Sequence, residues 1–210
     1  MKEEIMEIIE SSILQGESIF KLVSIFKNLE KIEEREEFLS VIKLLTLHDS
    51  KEIRFRSLTV IEFLEKAHLF EEVIKSNVLD LDFRKDERCI SPLLTLCASL
   101  SNSWSIAFIK RIIDFYKPNL NEDSYYFDIG IRSIVCTDFW KESLDEIVFA
   151  LQTYDDIYVI DFIAYFKWEN NKKEVKKLYD ELNKYPHLGR RIYKLKVEIE
   201  NRYSYHYKNN

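Results

Sequence analysis

The apolar residues of this 210-residue chain recur at three- and four-residue steps, the spacing of a helix face rather than of a strand. Ile5, Ile8, Ile9 and Ile13 open a first helix that Gly16 is placed to cap; Ile19, Phe20, Val23, Phe26 and Leu29 mark a second. Phe38, Val41, Ile42 and Leu45 predict a third, ending near His48. Asp49-Ser50-Lys51-Glu52 has the acceptor and trailing glutamate of a capping box, after which Ile53, Leu58, Ile61 and Leu64 face inward on a fourth. A short helix is expected around 69–78. Ser91-Pro92 reads either as a helix start or as a kink in a longer helix from about Arg84. Ile106, Ile109, Ile112, Ile113 and Tyr116 make the next helix, which Pro118 stops. Further helices are expected near 124–136, 140–153, 156–168, 171–184 and 187–204. In the last, Leu188, Ile192, Leu195 and Ile199 keep the helical period and Pro186 stands at its start.

Three glycines and three prolines in the whole chain sharpen this pattern into an all-α fold of about a dozen helices with short polar joints. Glycine-rich phosphate loops are excluded, because Gly16, Gly130 and Gly189 are too far apart to share one. With 46% hydrophobic residues, 1–210 is expected to form a single all-helical domain. Within it, 1–30 would be capping helices, 31–168 helical hairpins and 169–210 a basic C-terminal hairpin. Cys89, Cys97 and Cys136 are an odd set without CxxC spacing, set among apolar neighbours, so buried reduced thiols in the cytoplasm are expected. The charged start Met1-Lys2-Glu3-Glu4 is wrong for a secretion signal. Cys89 to Ile109 carries no charge but is interrupted by serines, Thr95, Asn102 and Pro92, which reads as a buried helix and not as a membrane span.

The segment Leu44-Leu45-Thr46-Leu47-His48-Asp49-Ser50-Lys51-Glu52-Ile53-Arg54, continuing to Ser57, Ile61 and Leu64, resembles a HEAT-type repeat. That resemblance implies an α-α superhelix, a HEAT-like solenoid in which a turn aspartate and an arginine, here Asp49 and Arg54, tie neighbouring repeats. Asp86-Glu87-Arg88 and Asp155-Asp156-Ile157-Tyr158 are fainter echoes, so the likeness is clear near 44–64 and weaker over 31–168. An irregular helical bundle is the alternative architecture.

Candidate chemistry is sparse. Glu65-Lys66-Ala67-His68 matches one step of a di-iron helical site, but His48, His187 and His206 have no glutamate three residues before them. It reads as an ordinary helix end, with His68 at the negative pole of the helix dipole. No metal, no cofactor and no catalytic residue is therefore assigned, and the chain is not expected to be an enzyme. Some HEAT-like proteins are DNA glycosylases, which need a basic groove. Here the stretch 118–169 is acidic, with a net charge of −8, while 170–210 carries +6 within an overall −6. Lys172, Lys173, Lys176, Lys177, Arg190, Arg191, Lys194 and Lys196 form the basic cluster, read as a solvated face or as partners of the acidic block. An enzyme acting on nucleic acid, such as a DNA glycosylase, carried by the basic face of 172–196, is the alternative reading, though a nucleic-acid partner is not the one expected.

Tyr154, Tyr158, Asp161, Tyr165 and Trp168 fall on one helical face, different from that of an apolar stripe of Ile157, Ile160, Ile163 and Ala164. Tyr125, Asp128 and Arg132 repeat the arrangement one hairpin earlier, and Glu122, Asp123, Asp155 and Asp156 would sit at the rim. Aromatic and acidic residues together make a surface for a basic protein partner. A compact acidic chain of this kind resembles, as a class, the immunity proteins that neutralise basic bacterial toxins. Its Lys-, Ile-, Asn- and Tyr-rich usage points to an AT-rich bacterial genome. The expected function is thus non-catalytic protein binding, with a scaffold or adaptor as a further alternative. Gly130, between Asp128 and Arg132, is expected to permit a close helix approach or a break.

Overall fold

The computed structural model describes residues 2–32, 35–82, 86–117, 120–153, 172–194 and 196–197, and these form helices joined by short turns, with no strand among them. The α-helices are α1 (Lys2–Leu14), α2 (Ile19–Ile32), α3 (Arg35–Thr46), α4 (Lys51–Phe63), α5 (Glu71–Asp80), α6 (Glu87–Leu100), α7 (Ser103–Tyr116), α8 (Leu120–Val135), α9 (Leu144–Thr153) and α10 (Lys172–Leu182). Single 3₁₀ turns, Ala67–Phe70, Trp140–Ser143 and Pro186–Leu188, lead into α5, α9 and a final helical stretch. The chain divides into two compact units, Met1–Ile109 and Lys110–Asn210.

In the first unit helices two places apart pack on each other, most sequence neighbours do so too, and α1 also packs on α4. α1 meets α3 and α3 meets α5, while α2 meets α4 and α4 meets α6. Polar links follow the same rule. Glu10 of α1 lies 3.6 Å from His48 just after α3, and Asn77 of α5 donates to Thr46 of α3 at 3.0 Å. Lys66, after α4, donates to Glu30 of α2 at 2.9 Å. Arg88 of α6 donates to Glu52 of α4 at 2.7 Å, and Arg54 of α4 donates to Asp86 at the start of α6. Each of these links spans between 31 and 38 residues of sequence. Ile9, Ile13, Leu22, Phe26, Ile42, Leu45, Ile53 and Ile61 form the fully buried core between the layers. Leucine- and isoleucine-sized side chains buried to this degree contribute about 1.5–3 kcal/mol each.

Local sequence explains most helix ends. Gly16 has φ +74°, its N–H bonds to Ile13 and that of Glu17 to Ser12, which is the double reverse turn that closes a helix on a left-handed glycine. Elsewhere glycine is missing where the geometry favours it, and Glu65 (φ 55°) and Ser101 (φ 46°) take left-handed positions after α4 and α6. The capping box does not form. Ser50, not Asp49, is the residue before α4, and it makes no side-chain cap. Its N–H donates instead to His48 Nδ1 at 2.9 Å, and Arg54 donates to the His48 carbonyl at 2.7 Å. Ser91-Pro92 lies inside α6 rather than at its start, as in the longer-helix alternative, and that helix begins at Glu87. Ile8 and Phe20, expected in the core, are exposed. The buried stripe of α2 is Leu22, Val23 and Phe26, and Phe20 falls outside that arc, edge-on to Phe63 at 6.0 Å.

In the second unit α8 and α9 pack on each other and on the Trp140–Ser143 turn, where Trp140 is fully buried. Ile112, Ile113, Tyr116, Phe127, Ile131, Ile134, Ile147 and Leu151 complete that core, with Leu178, Leu182, Leu188 and Ile192 buried further along the chain. Gly130 is helical and not a break. A Cβ there would meet Ile113 Cγ1 at 2.8 Å, so the glycine sets how closely α8 lies on α7. Leu195, Ile199 and the whole expected helix at 156–168 lie outside the described residues.

A candidate protein-binding surface on α8

Tyr125, Asp128 and Arg132 stand one turn apart on α8, about a sixth of a turn or more around the helix from the buried Phe127, Ile131 and Ile134. Tyr125 is 60% exposed, a large share for an aromatic ring. Its ring meets Tyr126 edge-on at 5.2 Å, Tyr126 meets Tyr116 at 5.1 Å, and Tyr116 meets Phe115 at 5.0 Å. Four aromatic rings thus run from the buried Tyr116 to the open Tyr125 and the part-exposed Phe115. Such rings are already held in place, so little rotamer freedom is lost when a partner covers them.

Asp128 and Arg132 do not present free charges. Arg132 Nε donates to Asp128 Oδ1 at 2.8 Å across one turn, and both side chains are mostly covered, at 19% and 16% exposure for Asp128 and Arg132. The pair neutralises itself and stiffens this face of α8 rather than offering an open carboxylate. Glu122 and Asp123 belong to the first turn of α8. Tyr154, Asp155, Asp156, Tyr158, Asp161, Tyr165 and Trp168 lie outside the described residues. Of the expected surface, the structure therefore brings together Tyr125, Asp128 and Arg132. Sequence periodicity missed Phe115, Tyr116 and Tyr126 as its support. The adjacent pairs Phe115-Tyr116 and Tyr125-Tyr126 were the available signal.

The basic cluster is split in use. Lys176, Lys177 and Arg190 are exposed, whereas Arg191 turns inward and donates to the carbonyl of Leu151 in the last turn of α9. A guanidinium at that helix end complements the dipole as well as the orphan carbonyl.

No group of three or more His, Cys, Asp or Glu side chains fit for a metal occurs among the described residues, and none of the helices searched there is long and apolar enough to cross a membrane. The three cysteines are free thiols. Burial pushes Cys89 up to about 11, with Asp86 adding to the rise and Arg54 opposing it; burial alone raises Cys97 further. Cys136, expected to be buried, is only half so, because it follows the last turn of α8. Glu65 and His68 are exposed on either side of the turn after α4, where the backbone of Glu65 leaves the helix.

No protein-family model matches this chain, and no curated protein or solved structure matches it either.

Proposed function

We propose that this chain is a non-catalytic protein-binding module, a HEAT-like stack of helical hairpins that acts as the immunity protein of a basic bacterial toxin. The stacked-hairpin part of the reading is supported by helices that pack two apart in the first unit, through links of 31–38 residues. The binding part rests on one observation: Tyr125 stands open at the end of a braced four-ring cluster, in a segment whose net charge is −8. A rigid aromatic anchor supplies binding energy, and the surrounding negative field speeds the approach of a basic partner.

The test uses as its probe the toxin domain encoded beside this chain's gene, expected at the variable C-terminus of a large secreted protein. Tyr125→Ala combined with Asp161→Lys should weaken binding by at least about a hundredfold and leave helicity unchanged. The reading is overturned by undiminished binding of that variant, or by a gene neighbourhood without any toxin domain that the chain binds.

A further inference from the structure

The two layers of the first unit differ in charge. By sequence α1, α3 and α5 carry nine Asp/Glu against four Lys/Arg, whereas α2, α4 and α6 carry four against seven. Among the described residues, Glu7, Glu36, Glu37, Glu72 and Asp80 of the acidic layer make no ion pair. In the other layer Glu30 takes Lys66 and Glu52 takes Arg88. Negative charge is therefore left uncompensated on one layer only.

The same layer holds the open aliphatic side chains. Ile8 (57% exposed), Leu14 (67%), Leu44 (43%) and Leu79 (77%) are the large aliphatic residues exposed among the described ones, and all four lie on α1, α3 or α5. On α2 and α4 the large exposed side chains are instead the rings of Phe20 and Phe63, stacked edge-on. Ile8, Leu44 and Leu79 stand 36 and 35 residues apart, within about one helical turn of the register that Glu10–His48 and Thr46–Asn77 set between these helices. Successive helices of the layer thus each present an aliphatic side chain at a corresponding place. Packed helices lie about 10 Å apart, and two turns of an α-helix also advance about 10 Å, so apolar residues at every seventh position of a crossing helix match that spacing.

We propose that the α1–α3–α5 face binds a basic amphipathic helix of a partner protein, its aliphatic residues on Ile8, Leu44 and Leu79 and its lysines or arginines towards Glu7, Glu36, Glu72 and Asp80. Charge selects this occupant. Unpaired carboxylates beside apolar side chains repel nucleic acid and anionic lipid alike, and attract lysine and arginine. The face lies wholly in the first unit, so it stands or falls apart from the surface on α8.

The probe is a fluorescein-labelled peptide of about 18 residues, leucine and lysine in amphipathic helical order, titrated with the full chain by fluorescence anisotropy at about 0.15 M salt. It should bind at least about tenfold more tightly than a peptide of the same composition in scrambled order, which keeps the charge and loses the apolar face. Leu44→Ser with Leu79→Ser should erase that preference with helicity and Tm retained, since both side chains are exposed. Glu7→Lys with Glu72→Lys should weaken binding at least about tenfold. Phe20→Ser and Tyr125→Ala should each leave it within about twofold. Equal binding of the two peptides, or no binding, overturns the proposal, and so does a preference that survives the double serine variant. A loss with Phe20→Ser or Tyr125→Ala as large as that of the double serine variant would seat the peptide elsewhere and overturn it too.

Discussion

Arg54 reaches from the first turn of α4 to the carboxylate of Asp86, the residue immediately before α6, and so joins two helix starts 32 residues apart. Asp86 occupies the N-cap position of α6 yet makes no cap. Its carboxylate is turned to the guanidinium instead. Arg54 also donates to the carbonyl of His48 at 2.7 Å, so one side chain holds the α3–α4 turn and the α4–α6 contact together.

Removing Arg54 should therefore cost more than removing its partner. Both side chains are largely covered, at 20% and 14% exposure, and Arg54→Met should destabilise by about 2–4 kcal/mol because it strands a carboxylate and a carbonyl. Asp86→Asn should cost about 1–2 kcal/mol, and the double variant should show a coupling of about 1 kcal/mol or more. Urea unfolding of the four proteins checks this, and a coupling near zero would mean that the pair does not hold the helices.

Glu62 of α4 gives the fold a pH dependence. Burial raises its carboxyl above the ordinary value of 4.5, and a hydrogen bond from Thr95 of α6 only partly opposes this. The folded state then holds the proton more tightly than the unfolded chain does. The contribution of this group is fully present below pH 4.5 and is lost as pH rises through the folded value. Glu62→Gln keeps a partner for Thr95 and removes the buried charge. Its melting temperature should exceed that of the parent at neutral pH, and the gap should close on acidification; a constant gap would falsify the linkage.

Gly130 should resist even the smallest side chain. Alanine in a helix interior is ordinarily favoured over glycine by about 1 kcal/mol. Here its Cβ would stand 2.8 Å from Ile113 Cγ1, in a fully buried site, so Gly130→Ala should instead destabilise by about 1–3 kcal/mol. Ile113→Ala removes the colliding atom. Thermal melts should show the alanine at 130 to be far less harmful in that background than in the parent.

The helices were legible wherever an apolar stripe ran unbroken, as in Phe38–Leu45 and Ile106–Tyr116, all of whose stripe residues are buried. What failed was the reading of edges. Phe20 and Ile8 fit a helical period but sit at the margin of the stripe, and periodicity alone does not give the width of a buried face. The capping box failed for a different reason. His48 and Arg54 compete for the same turn, and a local motif cannot foresee a partner such as Asp86, 32 residues on. At the candidate surface the sequence found Tyr125 and the two charges, but it could not show that Asp128 and Arg132 answer each other.

Among the described residues, the side-chain links that run between helices share one more property. From Asn77–Thr46 to Arg191–Leu151 they close loops of 31 to 40 residues. Loop-closure entropy grows only with the logarithm of length, so each of these contacts forms against nearly the same small entropic barrier. A chain wired this way can assemble helix upon helix as it leaves the ribosome, each new helix making these polar links to residues within the previous 40.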